Sequence, residues 1–211
     1  DDRSWGSMFL SQKEMNQVIA HQSGRNKHLD LAGPANVLLM NQGDGELKRV
    51  PLDENLAQWR RSFQSVWSDI DNDGDDDLYI CNDFAPDAML RNDTIDGGEL
   101  PQFTDVTREV LLNKGIGFGM GASFGDFDRD GDLDLYVSNM FSKAGTRIIK
   151  QVKSVDPRTA AAAAGNFLFE NDEGKFAQKA GASDGFYPVN QVGWSYGGQW
   201  SDFDNDGRLD L

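Results

Sequence analysis

Three ten-residue stretches place acids at alternate positions: Asp69-Ile70-Asp71-Asn72-Asp73-Gly74-Asp75-Asp76-Asp77-Leu78, Asp126-Phe127-Asp128-Arg129-Asp130-Gly131-Asp132-Leu133-Asp134-Leu135 and Asp202-Phe203-Asp204-Asn205-Asp206-Gly207-Arg208-Leu209-Asp210-Leu211. Positions 1, 3, 5 and 9 are Asp in every copy, position 6 is Gly and position 10 is Leu. Alternate side chains of a tightly curled loop can converge on one point. Converging carboxylates raise one another's pKa unless a cation sits among them. Ca²⁺ takes about 6–8 oxygen ligands, and a glycine at the sixth position permits the sharp turn that gathers them. Position 7 is Asp75, Asp132 or Arg208. An arginine side chain cannot ligate a cation, so this position is read as offering its backbone carbonyl. The expected side-chain ligands of three Ca²⁺ sites are Asp69, Asp71, Asp73 and Asp77; Asp126, Asp128, Asp130 and Asp134; and Asp202, Asp204, Asp206 and Asp210.

A single Asp/Gly run is equally well a solvated turn. Three copies in register, each leading toward apolar sequence, argue for metal. An EF-hand needs a Glu at loop position 12 and flanking helices. Here position 12 is Ile80 or Val137, inside Leu-Tyr-Ile and Leu-Tyr-Val runs that read as strands. The loops are therefore expected between strands and closed by the Asp at position 9.

The loops also explain the charge. The chain has 211 residues and a formal net charge of −15. The three loops hold 15 of the 35 acids and two of the 20 bases, so the remainder is nearly neutral. There is no basic footprint for nucleic acid. Cys81 is the one cysteine, which excludes an intrachain disulfide, and its apolar surroundings suggest a buried thiol. No apolar run reaches the roughly 18 residues that span a bilayer, and no signal peptide is visible. The chain lacks an initial Met and stops inside a motif, the expectation for a piece of a longer protein.

A second landmark recurs between the loops. Asn36–Asn41, Ala88–Asn92 and Phe167–Asn171 read as strands ending in Asn, each followed by a Gly-bearing turn (Asp44-Gly45, Asp96-Gly97-Gly98, Glu173-Gly174) and a further apolar residue (Leu47, Phe103, Phe176). Asp-Gly between apolar runs is a strong hairpin signal. An aromatic stands two residues before each loop (Trp67, Phe124, Trp200), preceded in the later copies by glycines suited to close strand packing. Each unit reads strand, metal loop, strand, strand, Gly turn, strand. Repeats of this length with four short strands are the signature of a propeller. The fold class expected is all-β: a partial β-propeller of four-stranded antiparallel blades with two helical insertions. Its units are 1–56 (partial blade with a helical insertion), 57–112 (blade), 113–188 (blade with an insertion at about 141–165) and 189–211 (partial blade). The first insertion is read as a helix ending near Gly24 with Met8, Met15 and Ile19 on one packing face. The second contains Ile148, Ile149, Val152 and Val155 before the run Ala160–Ala164.

Gly119-Met120-Gly121-Ala122-Ser123-Phe124-Gly125 leading through the second loop to Leu135-Tyr136-Val137-Ser138-Asn139 resembles an FG-GAP (VCBS-type) repeat, the Ca²⁺-binding blade of integrin-α-like propellers. Phe103-Thr104-Asp105-Val106-Thr107 is similar to FG-GAP proteins of the cartilage acidic protein/ASPIC-UnbV group. The resemblance covers most of residues 36–211. It implies a seven-bladed propeller, an extracellular, cell-surface or periplasmic location, and adhesion or binding of a protein or carbohydrate ligand. The remaining blades of the same chain would be its nearest partner. Some propellers of this type belong to lyases or hydrolases, so a secreted enzyme with catalytic residues outside these 211 is the alternative. The sequence itself supports enzyme chemistry weakly. His21 and His28 lack metal-ligand spacing and read as solvated, and no G-x-S-x-G motif is present. Asn92-Asp93-Thr94 is a glycosylation sequon, but Asn41 and Asn171 hold the same repeat position without one, which favours a turn role.

Overall fold

The structure is a computed structural model. It describes residues 10–25, 30–95, 100–112, 117–143, 147, 151, 158–180 and 189–211. Met8, His28, Asp96-Gly97-Gly98, Ile148, Ile149, Val152 and Val155 lie outside the described residues.

The architecture is mostly β. Strands β1 (Leu39–Gly43) and β2 (Glu46–Arg49) form a hairpin. Strands β3 (Ser62–Ser68), β4 (Asp77–Asn82), β5 (Ala88–Asn92) and β6 (Phe103–Asp105) form a four-stranded antiparallel sheet in sequence order. The next sheet contains β8 (Gly121–Gly125), β9 (Asp134–Ser138), β10 (Phe167–Asp172) and β11 (Lys175–Ala180), again in sequence order and antiparallel. A two-residue strand, β7 (Leu111–Leu112), adds to the outer edge of this second sheet, parallel to β11. That parallel addition was not anticipated from the sequence. Residues 189–211 contribute isolated bridges, Met140 with Trp194 and Ser201 with Asp210. Two sheets of the kind expected for neighbouring blades are therefore present, with a hairpin before them and a loop-bearing segment after.

Local signals explain the turns. Asp44-Gly45 and Glu173-Gly174 both take positive φ at each residue (51° and 81°; 50° and 79°). This is the twist that a two-residue hairpin needs. After β6, Asp105 accepts from Thr107 N and Thr107 Oγ1, while Met89 N donates to Thr107 Oγ1 at 2.9 Å. The Phe-Thr-Asp-Val-Thr motif thus ties the sheet edge to its neighbour before α3 (Thr107–Val110) begins.

Both faces of β4 are covered. Along β4, Tyr79 and Cys81 face a cluster shared with Met89, Leu135, Val137, Phe167 and Phe176, most of it from the second sheet. Leu78 and Ile80 face the opposite way, toward Leu56, Leu90 and Phe103, with Leu38 and Leu52 packed alongside. Successive side chains of a strand point to opposite faces. A run such as Leu-Tyr-Ile-Cys is apolar throughout because it is buried on both sides. Cys81 is fully buried and its thiol is pushed up by that burial, as the sequence suggested.

A helix stands in each of the two expected insertions, and two further helices of four residues each were not anticipated. Helix α1 (Gln12–Gln22) starts with a capping box, Ser11 and Glu14 each satisfying the other's backbone N–H, and ends before Gly24. Its apolar face is not core: no residue of α1 is buried, and Ile19 is 62 % exposed. His21 is exposed but not free, since its ring stacks on Trp59 at 4.4 Å. Helix α2 (Glu54–Ala57) is capped by Asp53, which accepts from Leu56 N at 2.9 Å. Helix α4 (Arg158–Ala162) lies in the second insertion, where Ala162 and Ala163 pack with Phe118. No helix among the described residues is long and apolar enough to cross a membrane.

Candidate metal centres

Each loop joins two antiparallel strands or, in the third copy, two bridged residues. The loops share one backbone trace. Position 4 is left-handed in all three (Asn72 φ 59°, Arg129 φ 67°, Asn205 φ 61°), and so is the glycine at position 6 (97°, 100°, 81°). The glycine was legible in the sequence. The left-handed position 4 was not, although Asn is among the few residues that tolerate it.

Position 1 closes the curl. Asp69 accepts from Asp73 N and Gly74 N at 3.1 and 3.0 Å. Asp126 accepts from Arg129 N and Gly131 N, and Asp202 from Asp206 N and Gly207 N. Position 9 pins the loop to the sheet. Asp77 accepts from Ile70 N on one oxygen and from Asn92 N on the other, at 3.1 and 2.7 Å. Asp134 repeats this with Phe127 N and Asn171 N, at 3.0 and 2.9 Å. Both carboxyls are pushed up to about 6, chiefly because they are buried; the backbone donors act in the opposite sense. The landmark Asn completes the clip. Asn92 Nδ2 donates to Asp76 O and Asn171 Nδ2 to Leu133 O, at 3.1 and 3.2 Å. Asn92 Oδ1 also accepts from Thr94 N, the turn role the repeat comparison favoured.

Carboxylate oxygens converge in each loop. Asp69, Asp71 and Asp77 place one oxygen apiece within 4.8 Å of one another; so do Asp126, Asp128 and Asp134, and so do Asp202, Asp204 and Asp206. Each of these groups could hold a metal ion. Oxygens about 2.4 Å from one Ca²⁺ lie within about 4.8 Å of each other, so the spacing suits a common ion. An all-oxygen donor set of this kind is hard and selects Ca²⁺, Mg²⁺ or Mn²⁺ over softer metals. The carboxyls of Asp71 and Asp128 are pushed upward, first by burial and next by the neighbouring Asp73 and Asp130 respectively. A cation among them would remove that penalty.

The remaining expected residues are placed differently. Asp73 and Asp130, at position 5, accept from the backbone N–H of position 7 and stand outside the two converging groups. In the third loop Asp206 joins the group instead, and Asp210 accepts from Phe203 N. At position 7, Asp132 turns away from its own loop. It accepts from Asn72 Nδ2 of the preceding loop and from Glu173 N, both at 2.8 Å. Arg208 pairs with Asp206 in its own loop. Asp75 keeps its carboxylate close to Asp73, Asp71 and Asp69, all of which push it upward after burial, and its Oδ1 is buried without a hydrogen-bond partner among the described residues. That orphaned oxygen fits a loop built to receive a cation.

Sequence reasoning missed Asp87. It is half-buried in the turn between β4 and β5, and accepts from Asn82 N at 2.7 Å and Tyr79 Oη at 2.8 Å. Burial pushes its carboxyl up to about 7. The backbone of Gly119 passes so close that a Cβ there would sit 2.5 Å from Asp87 Oδ1. No spacing rule pointed to this residue; its environment comes from the second sheet. Asp87 also lines a cavity of about 610 Å³ between the two sheets, with Arg60, Arg108, Arg158, Glu109 and Phe169.

No curated protein matches the chain. The segment from the first residue of the first loop to the strand after the second, residues 69–137, about a third of the chain, matches the family model of the FG-GAP-like repeat.

Proposed function

We propose that the protein is a calcium-binding β-propeller scaffold that works outside the cytoplasm, at a cell surface, in the periplasm or secreted, in adhesion or ligand binding. One observation carries this reading: a converging trio of carboxylates recurs in three loops with one backbone trace, drawn from positions 1, 3 and 9 in the first two and from 1, 3 and 5 in the third. Ca²⁺ accepts an irregular shell of carboxylates and carbonyls more readily than Mg²⁺, which demands a near-ideal octahedron. Modules of this kind work at ~10⁻⁴–10⁻³ M Ca²⁺, which suits an extracellular setting. Asp69, Asp71 and Asp77, with their counterparts, would hold the ion. Its charge would let the strand-to-strand connection keep several ionised carboxylates together.

The ligand, a protein or a carbohydrate, would dock on the end of the sheets opposite the metal loops. Antiparallel pairing puts the turn at 83–87 and the insertion after β9 at that end. The amino-terminal segment reaches it too, where Leu31 N donates to Phe84 O at 2.9 Å. A second reading, the propeller part of a secreted lyase or hydrolase, is favoured by the cavity at Asp87, which gathers Arg60, Arg108 and Arg158 around a half-buried carboxyl.

Isothermal titration of the chelator-treated protein with CaCl₂ and with MgCl₂ tests the first reading. Saturable Ca²⁺ binding at up to three sites, with weaker Mg²⁺ binding, is expected; absence of Ca²⁺ binding at 5 mM overturns it.

A further inference from the structure

We propose that the cavity between the first and second sheets is a subsite for a hexuronate, the carboxylate-bearing sugar unit of an acidic carbohydrate. This deepens the ligand-binding reading above and rests on it. Guanidinium groups from three elements line the cavity of about 610 Å³: Arg60 before β3, Arg108 on α3 and Arg158 at the start of α4. They are far apart in the sequence, so only the fold brings them to one place. A guanidinium meets a planar carboxylate with two parallel N–H···O bonds. Arg60 is already oriented, donating to Asp30 Oδ1 at 3.4 Å and to Gln58 Oε1 at 2.9 Å. Arg108 is exposed and makes no hydrogen bond or ion pair among the described residues.

The same lining holds three acids, Asp87, Asp105 and Glu109. They balance the three arginines in formal charge. A polyanion such as a phosphate ester would meet those carboxylates, whereas a ligand with one anionic group and several hydroxyl donors uses both kinds of wall. Two of the acids are fixed by donors of the chain itself. Asp87 accepts from Asn82 N and Tyr79 Oη, and Asp105 from Thr107 N and Thr107 Oγ1. Carboxylate oxygens have further lone pairs to offer. A hexuronate presents one carboxylate and a ring of hydroxyl groups, and the cavity lies within the size range of small-molecule sites.

The repeat does not require these groups. Arg60 stands nine residues before its loop, where the second and third copies have Gly117 and Gly193. A Cβ at Gly117 would lie 2.3 Å from Asn139 Oδ1, so that copy has no room for a side chain. Asp87 stands five residues before its landmark Asn, where the second sheet has Asn166. The amide of Asn166 ties its sheet to the following segment, donating to Val189 O at 3.0 Å and Ser195 Oγ at 3.2 Å. An ionised carboxylate donates no such bond. Thr107 stands four residues beyond Phe103, where the second sheet has Ala180 four beyond Phe176. Charged and hydroxyl groups thus replace glycine, amide and alanine at the seam that holds the cavity. Arg60, Asp87 and Arg158 stand at the end of the sheets opposite the metal loops, the end on which the ligand is placed above.

Isothermal titration of the 211-residue chain in 2 mM CaCl₂ with di-D-galacturonate, with cellobiose and with the dipeptide N-acetyl-Glu-Glu-amide tests this. Saturable one-site binding of digalacturonate is expected, about tenfold or more tighter than either other probe. Arg108→Gln should weaken it about tenfold by removing one charge-assisted pair. The same variant should leave the melting temperature and the Ca²⁺ titration unchanged, because its side chain holds nothing in the fold. Arg49→Gln, at an exposed position on β2, should bind as the wild type does. Absence of saturable digalacturonate binding up to about 20 mM overturns the proposal. If Ca²⁺ still binds in that sample, the calcium reading stands and only the subsite falls. Equal binding of cellobiose overturns the carboxylate recognition, and equal binding of the dipeptide overturns the assignment to a carbohydrate. Undiminished affinity in Arg108→Gln overturns the placement in this cavity.

Discussion

Asp87 and Asn166 hold the same place in successive repeats, and each is bonded to a tyrosine. Tyr79 donates its hydroxyl to Asp87 Oδ2 at 2.8 Å, and one repeat later Asn166 donates its amide to Tyr136 Oη at 2.7 Å. The second bond is repeated too: Asn82 N donates to Asp87 Oδ1, and Asn139 N to Asn166 Oδ1, both at 2.7 Å. Each lies five residues before its landmark Asn, where the hairpin unit carries Asn36. The fold therefore accepts an amide at this node and carries an ionisable carboxyl only in the first sheet.

Asp87→Asn should remove a pH dependence from stability. The folded-state pKa of Asp87 is raised to about 7 by burial, against about 3.9 in an unfolded chain. A raised carboxyl favours folding below the unfolded value, and that contribution is lost as pH climbs through the folded value. The shift corresponds to about 4 kcal/mol. In urea denaturation the variant should gain on the wild type by several kcal/mol between pH 4 and pH 8, other acids cancelling in the difference. A constant difference across that range would contradict the assignment.

Asp134→Ala should destabilise the second loop and its sheet together. The carboxyl satisfies Phe127 N and Asn171 N, and Asp134 is fully buried. Leaving buried donors unpaired costs about 1–3 kcal/mol each. A loss of about 2–5 kcal/mol is expected in chemical denaturation, larger than for Asp130→Ala, whose side chain bonds only within its exposed loop.

Chelation should lower the melting temperature, because an ion bound only by the folded state stabilises it by mass action, by about 2.7 kcal/mol at a hundredfold excess over Kd. Asp128→Ala removes one of three converging oxygens in the second loop. It should weaken one Ca²⁺ site in a calorimetric titration and leave the others unchanged. An EDTA-insensitive melting temperature would count against bound metal in the wild type.

Arg129→Asn should stabilise the protein modestly. Arg129 is the one residue at position 4 that is not Asn, yet it adopts φ 67°. Asn tolerates the left-handed region better than a long side chain does. A gain of about 0.5–1 kcal/mol in denaturant midpoint analysis is expected.

Gly125→Ala tests the contact between the second sheet and the third loop segment. A Cβ at Gly125 would lie 2.6 Å from Trp200 Cγ and Cδ1. Trp200 also stacks on Phe127 and donates to Ser123 O. Overpacking of this kind costs about 1–3 kcal/mol. The substitution should displace Trp200 and change tryptophan fluorescence while the first sheet remains folded.

The sequence by itself determined the loops, the hairpins and the strands between them. Asp at alternate positions, Gly at position 6 and Asp-Gly between apolar runs act through local backbone geometry, which needs no distant partner. The burial of Cys81 was legible because it stands in an apolar run. Which carboxylates converge was decided by the tertiary structure. Asp77 and Asp134 turn inward because Asn92 and Asn171, 15 and 37 residues further on, donate to them. The burial of Asp87 and the outward turn of Asp132 arise from packing between repeats. Spacing along one chain encodes a turn, but desolvation and hydrogen bonding across a seam depend on which segments fold against it.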